Sequence, residues 1–468
     1  MELPPVLLDR DGERPLAVQL ADALRAATAD GTLRAGDRLP STRTLAATLG
    51  VSRTVTAAAY DQLLAEGWAV GRRGAGTFVV GAPAGGRPAA AAVPAPTVAG
   101  RAAAQQLIDL RAGSPCVEVL DRAAWRRAWR AAADTPPDAA PDAEGLPAFR
   151  AAVVEHLLRH RGLPADPAAL LATGGSTGAV AELARTLPAG ARVAVEEPGY
   201  QRAVEALRAG GLDVVPVPVD AAGLVVDALP PGLAAVYCTP AHQYPLGARL
   251  SAARRMALVE RARAEGFLVI EDDYDGELRY DVAPLPLLVA LGPDVVAHLG
   301  TASKLLTPTL GAGWLVAPPA VRAAVLHLRA RTGARPALAG QRVFAALAAH
   351  GDLARHLRRL RRELADRRGA VVARVTDAGH AVQGEAAGAH VLVPLPDAAA
   401  ERAVRKAGAA RGVDLDGLAR HHAGTPGEAG IVLGYAGPAR TELDRGLPVV
   451  GEVLAAEGSS RTSGKPRS

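Results

Sequence analysis

Residues 298–316 read HLGTASKLLTPTLGAGWLV, two short apolar runs on either side of a polar turn that carries Lys304. A charged amine between two buried segments is costly unless its charge is paired or used. Held in such a place, an amine sheds its proton more readily than on the surface, and a neutral amine condenses with an aldehyde. The rest of the chain makes this residue conspicuous. Of 53 basic residues only three are lysines, so chemistry that needs an amine has three candidates. Lys465 belongs to the polar tail GSSRTSGKPRS and Lys406 to a polar helical stretch, which leaves Lys304.

Working outward, the runs ARVAVEEP, LDVVPVPVD, AAVYCTP, GFLVIEDDYD, DVVAHLGTASK and GAGWLVAP alternate with Ala/Arg/Leu-rich helical segments. Strands that alternate with helices predict a largely parallel α/β sheet, with ligand chemistry on loops at the strand C-terminal ends. After residue 320, helical stretches lead to HVLVPLP and IVLGYA, which predicts a small C-terminal α+β subdomain. The Arg-rich stretch at 355–368 reads as a solvated helix face.

A site that binds pyridoxal phosphate through Lys304 needs an acid for the pyridine nitrogen, a partner for the ring oxygen, a stacking aromatic and phosphate donors. Each has a candidate. Asp272 and Tyr274 close the strand FLVIEDDYD, the first for the nitrogen and the second for the oxygen. TGGSTGAVAELA offers Gly175, Ser176 and Thr177 just before a helix, where free N–H groups and the dipole favour an anion. Thr301 and Ser303 add hydroxyls, and Tyr200 in EEPGY is an aromatic for the ring face.

The first 80 residues have another texture. PLAVQLADALRAATAD reads as an amphipathic helix with Pro15 in its first turn. Ser41 caps STRTLAATLG, Gly50 ends it, and Ser52 caps SRTVTAAAYDQLLAEG. The third helix is expected to expose Arg53, Thr54 and Thr56 and to turn Val55, Ala59, Leu63 and Leu64 inward, as a recognition helix in the major groove requires. WAVGRRGAGTFVV then reads as a β-hairpin with Arg72 and Arg73 near its tip. Six arginines between residues 34 and 80 face Asp37, Asp61 and Glu66, so the basic charge is local.

Between these parts, GAPAGGRPAAAAVPAPTVAGR replaces every periodic pattern with Gly, Pro and Ala and reads as a semi-rigid linker. The expected organisation is a winged helix-turn-helix domain at 1–80, a linker at 81–105, a large domain at 106–457 and a disordered tail at 458–468. Two cysteines are too few for a disulfide framework, no apolar run is long enough to span a membrane, and the N-terminus lacks a secretory pattern, so a cytoplasmic protein with no membrane partner and no metal site is expected. A net charge of +5 is too mild on this length to establish a partner by itself.

LPSTRTLAATLGVSRTVTAAAYDQLLAEG followed by GRRGAGTFV resembles the winged-helix domain of GntR-family bacterial transcription factors. The resemblance implies double-stranded DNA as partner, with Arg43, Arg53 and Thr54 at bases or nearby phosphates and Arg72 or Arg73 on the wing. The order of EGLPAFR, TGGSTGA, EEPGY, TPAHQYPLG, EDDYD and TASK resembles the fold-type-I aminotransferases, and the joined arrangement resembles the MocR subfamily of GntR regulators. That implies a homodimer whose large domain takes pyridoxal phosphate, or its aldimine with a small amino compound, as effector. Lys304 would be the Schiff-base lysine, Asp272 on the pyridine nitrogen, Tyr274 on the ring oxygen and Tyr200 stacked. Arg202 would anchor an effector carboxylate, and His242 and Gln243 would lie on the loop facing the ring.

The resemblance breaks at three places. An arginine usual seven residues after the lysine, which clamps the phosphate, is Gly311; a tyrosine usual before the Gly-Leu-Pro turn aligns with Ala140; and Val432 stands where aminotransferases carry a carboxylate-binding arginine. Cofactor binding is therefore expected to be weakened. Two other readings stand beside the regulator: a working aminotransferase with a DNA-binding extension, and a regulator whose large domain no longer holds the cofactor.

Overall fold

Two serines start the helices that matter in the first part of the chain. The Ser41 hydroxyl accepts from the Thr44 amide at 3.1 Å and starts the helix Thr42–Leu49; Ser52 does the same for Val55 at 3.3 Å and starts Arg53–Ala65. Gly50, at φ +61, ends the first in the left-handed conformation that a glycine adopts without strain. The preceding helix, Leu16–Ala29, has Pro15 at its N-cap, one place earlier than expected. Ala69–Arg72 and Gly76–Val79 pair antiparallel, Ala69 opposite Val79 and Arg72 opposite Gly76. Leu20, Leu24, Leu45, Ala59, Leu63 and Val79 close one core under these elements.

The computed structural model describes residues 6–10, 14–72, 74–80, 107–136, 142–280 and 286–462. The chain divides into two units, Met1–Ala104 and Gln105–Ser468. The expected linker, Arg73 and Ala140 lie outside the described residues.

In the large unit an eight-stranded sheet runs in the order Leu170–Thr173, Gly313–Val316, Val296–Thr301, Leu268–Asp273, Ala235–Cys238, Arg192–Glu197, Asp213–Asp220 and Gly223–Leu224. The middle strands are parallel. Gly313–Val316 is antiparallel to both of its neighbours, and the short Gly223–Leu224 returns against Asp213–Asp220. Strand alternation sorts the side chains between two cores. Val269, Val236 and Val296 join one, and Ile270, Tyr237, Ala297 and Leu299 the other. The same alternation puts Asp272 on the face of Ile270, towards the helices Ser176–Ala184 and Gln201–Ala209.

The C-terminal subdomain is a three-stranded antiparallel sheet of His390–Leu395, Ala429–Gly434 and Asp416–Gly417, packed with Ala398–Ala410. The helix Asp352–Asp377 leads to it; Arg355, Arg358 and Arg362 lie exposed on the expected solvated face, and Arg367 departs from it. Arg367 is fully buried: it bonds Glu363 at 2.7 Å, Glu118 at 2.6 Å, and the carbonyls of Tyr435 and Pro438 at 3.1 and 2.7 Å. The final helix, Arg440–Thr462, runs five residues into the expected tail. Among the described residues no helix is long and apolar enough to cross a membrane.

Candidate ligand-binding site

A cavity of about 570 Å³ opens at the C-terminal ends of the parallel strands, where a doubly wound sheet leaves room for ligands. Lys304, Asp272, Tyr274, Tyr200 and Arg202 all line it, as do Gly175, Ser176, Thr177, Thr301 and Ser303. These ten candidate residues of the large unit thus meet in one space, although they come from four separate stretches of chain.

Asp272 lies at its floor, 2% exposed. Its Oδ2 accepts from the Tyr237 hydroxyl at 2.7 Å, while its Oδ1 is buried with no hydrogen-bond partner. Burial pushes this carboxyl up to about 6, against the bonds from Tyr237 and Ser176 that favour its charge. A buried acceptor left open costs free energy, so the site is built for a donor that enters from the cavity. On the opposite face of the same strand Glu271 takes the amides of Leu288 and Val289 at 2.7 and 3.2 Å, and Asp273 binds Arg161 at 2.6 and 2.9 Å. The three neighbouring carboxylates therefore differ: two are paired within the protein and one is open. Tyr237 was missed in the sequence; a tyrosine inside the apolar run AAVYC, in a chain with seven tyrosines, was the available signal.

Lys304 donates to the Gly113 carbonyl. Burial lowers its pKa from the ordinary 10.5, and Arg202 adds to the effect, against the opposing charges of Asp275 and Asp272. This is the direction that prepares an amine for attack on a carbonyl. Tyr274 reaches the cavity wall with its hydroxyl 3.1 Å from His242 Nδ1, and Asp275 meets the same nitrogen at 2.8 Å. His242, expected on the loop facing the ring and so beside an effector, is buried and absent from the cavity lining; it stands behind Tyr274 and Asp275. Gln243 is likewise buried; its amide bonds the Pro198 and Tyr244 carbonyls at 2.8 Å each. From the C-terminal subdomain come His390, His421 and Arg420, which sequence reasoning did not find. Arg420 is tied to Asp416.

The anion end of the cavity starts at Gly175, the N-cap of Ser176–Ala184, at φ +102. A Cβ there would stand 3.5 Å from Thr301 Oγ1 and 3.9 Å from Ser303 Oγ, which shows how closely the two hydroxyls approach the turn. Thr301 and Ser303 are bonded to each other at 2.9 Å. Tyr200, 3.2 Å from Thr177 Oγ1, stands edge-on to Tyr244 at 5.8 Å between ring centroids. An open buried carboxylate oxygen, a deprotonation-prone amine and a cup of amide and hydroxyl donors fit pyridoxal phosphate. Gly311 departs from the pattern: φ is +55, and a Cβ would meet nothing within 4 Å. Val432 is buried among Leu246, Leu392 and Leu418.

In the small unit Arg43, Arg53, Thr54 and Arg72 are all exposed. The Arg72 guanidinium lies 4.9 Å from the Phe78 ring centre, which fixes it on the hairpin. Thr56 is a correction. It is fully buried, and its hydroxyl donates to the Thr42 carbonyl at 2.9 Å and thereby joins the two helices. Leu64, expected inside, is exposed.

Residues 16–79 match the bacterial regulatory proteins of the gntR family, and residues 105–419 match aminotransferase class I and II. Over 92% of this chain and 94% of the other, the sequence is 37% identical to the HTH-type pyridoxine biosynthesis transcriptional regulator PdxR of Corynebacterium glutamicum. It is 32% identical to the probable rhizopine catabolism regulatory protein MocR of Rhizobium meliloti over 92% of each chain, and 32% identical to the HTH-type regulator TauR of Rhodobacter capsulatus over 80% and 82%. An archaeal alanine:glyoxylate aminotransferase shares the fold of the large unit, with a TM-score of 0.70 at 24% identity over 75% of this chain and 91% of that one. The alpha-aminoadipate aminotransferase LysN of Thermus thermophilus gives 0.69 at 23% over 76% and 94%. The chain belongs to the GntR family of transcriptional regulators, in the MocR-type branch that joins a helix-turn-helix domain to an aminotransferase domain.

Proposed function

We propose that this transcriptional regulator takes pyridoxal phosphate as its effector, held through Lys304, and that a second, amino-bearing compound enters beside Arg202. The observation that carries the reading is the buried, partnerless Asp272 Oδ1 on the floor of the space that Lys304 enters. A protonated pyridine nitrogen supplies the missing donor, and the cofactor then acts as an electron sink. Gly175, Ser176, Thr177, Thr301 and Ser303 receive the phosphate, Tyr274 the ring oxygen, and Tyr200 covers the ring. Arg202, without a carboxylate partner among the described residues, is left for a carboxylate on the amino compound.

The protein acts as a homodimer in the cytoplasm. Two helix-turn-helix domains read two half-sites, with Arg43, Arg53 and Thr54 at bases or nearby phosphates and Arg72 on the wing. The effector changes DNA binding only as far as it binds one arrangement of the dimer more tightly than another.

The test uses duplex DNA selected from a random-sequence pool by the full chain. Pyridoxal phosphate is expected to change the affinity of the native protein for that DNA by about fivefold or more, the lower end of ordinary coupling energies. Lys304→Ala should bind the DNA and ignore the cofactor. Equal responses in the two proteins, or no response in either, overturn the reading.

A further inference from the structure

Away from the cavity, the large unit carries a strongly basic face. The helix Arg122–Asp134 starts at Asp121, whose carboxylate accepts from the Ala123 and Ala124 amides at 2.9 and 3.1 Å, and it buries Ala124, Ala128 and Ala132 on one side. Its other side exposes Arg122, Arg126, Arg127 and Arg130. The first turns of Asp352–Asp377 are built alike. Leu353, Leu357 and Leu360 are buried, and Arg355, Arg358 and Arg362 are exposed at the spacing that lines up one helix face.

The two stripes are neighbours. Asp352 accepts from Arg127 of the first helix at 3.0 Å and from Arg355 of its own at 2.6 Å. The Ala124 and Ala123 amides hold the Asp121 carboxyl below its ordinary range, and the charges of Arg359 and Arg127 add to the effect. Residues 121–134 and 352–362 together hold nine arginines against Asp121, Asp134 and Asp352, a net +6 in a chain whose total is +5. Glu118 and Glu363, the nearest acids along the chain, are taken up by Arg367. Among the described residues, Arg122, Arg126, Arg130, Arg358, Arg359 and Arg362 make neither a hydrogen bond nor an ion pair.

Pairing of two copies through this face would set like charges against like, because a two-fold contact brings the same surface from both sides. An anionic polymer fits it better. The exposed arginines span about 12 Å along the first helix and about 10 Å along the second. Each DNA strand presents one phosphate per roughly 3.4 Å of axis, so each stripe faces about three. The chain itself brings such a polymer close, since its helix-turn-helix unit binds DNA. Residues 81–106 reach at most about 90 Å, which keeps a bound duplex near the large unit at an effective concentration of the order of millimolar.

We propose that this face is a second DNA contact: phosphates of the duplex that the helix-turn-helix reads also bind the arginines of Arg122–Asp134 and of the first turns of Asp352–Asp377. Contact to phosphate alone adds affinity and salt dependence without sequence preference. The proposal stands apart from the effector reading.

The test uses the full chain and the selected duplex, extended by about 20 base pairs on each side. One variant carries Arg126→Gln, Arg358→Gln and Arg362→Gln. A control carries Arg185→Gln, Arg331→Gln and Arg402→Gln, the same loss of charge at exposed positions elsewhere. The first should bind about tenfold or more weakly at 50 mM salt, with a log–log salt slope shallower by about 2 or more, while its preference among permuted sites stays that of the native chain. The control should stay within about threefold. Phenylglyoxal, which modifies arginines, gives an answer in the native chain without substitution. Read by peptide mass spectrometry, bound duplex should shield Arg126, Arg358 and Arg362 and leave Arg185, Arg331 and Arg402 as reactive as before. Equal losses in the two variants, an unchanged slope in the first, a change in its oligomeric state, or no shielding by DNA overturns the inference.

Discussion

Replacing Asp272 by asparagine should stabilise the ligand-free protein near neutral pH while it weakens cofactor binding. The carboxyl is 2% exposed, and burial pushes it from the ordinary 3.8 up to about 6. A carboxyl raised in the folded state holds its proton there more tightly than in the unfolded chain. Its contribution to stability is therefore best below pH 4, declines between about pH 4 and 6, and is flat above. Each pH unit of separation corresponds to 1.36 kcal/mol, so the cost of an ionised Asp272 in the empty site is about 3 kcal/mol at pH 7. Roughly half of it is already present at pH 5. Asparagine is neutral throughout and keeps an oxygen for the Tyr237 hydroxyl. It leaves an amide where Oδ1 had no partner, an offset of about 1 kcal/mol that does not vary with pH. Glu196, pushed up to about 7 by burial behind Thr239, titrates in the same range, but it is present in both proteins. The measurement is the difference in denaturant unfolding free energy between D272N and the native chain at pH 5, 6, 7 and 8, without ligand. That difference should grow in favour of the variant by about 1 kcal/mol from pH 5 to pH 7 and then level off. Added pyridoxal phosphate should reverse it, because only the carboxylate gains from a pyridinium N–H. A difference that is independent of pH, or that moves against the variant as pH rises, refutes the account of Asp272 as a destabilised group waiting for a donor.

Thr56→Val keeps the volume of a fully buried side chain and removes the bond to Thr42; it should lower the unfolding free energy of the small unit by about 1–3 kcal/mol, and base selectivity measured on permuted sites should not change. Arg53→Ala should do the reverse, weakening DNA binding and shallowing its dependence on salt while leaving thermal stability alone. Arg367→Ala leaves the carbonyls of Tyr435 and Pro438 without their donor and empties a fully buried side-chain volume, and should cost about 2–4 kcal/mol in denaturant unfolding.

What was legible from the sequence followed from local rules. Ser41, Gly50 and Ser52 placed two helices because capping is decided within three or four residues. The apolar run that opens FLVIEDDYD, set between helical segments, was enough to predict a strand whose end meets a ligand. The readings that failed depended on what packs against a residue from elsewhere in the chain. Thr56 looked exposed by helical spacing, but the Thr42 carbonyl, fourteen residues away, takes its hydroxyl. Arg367 sits in a run of arginines that reads as solvent-facing, yet its partners include Glu118, 249 residues distant. His242 belongs to a loop that reaches the site, while the bond to Asp275 draws its ring behind the wall. The choice of Asp272 among three adjacent acids gains its physical ground only from the fold. Glu271, Asp272 and Asp273 have similar chemistry, and only the fold gives Glu271 two amides and Asp273 a bidentate arginine while leaving one oxygen of Asp272 without a partner. The acid that the surrounding protein satisfies least is the one that faces the cavity, and the free energy left unsatisfied there is available to a ligand.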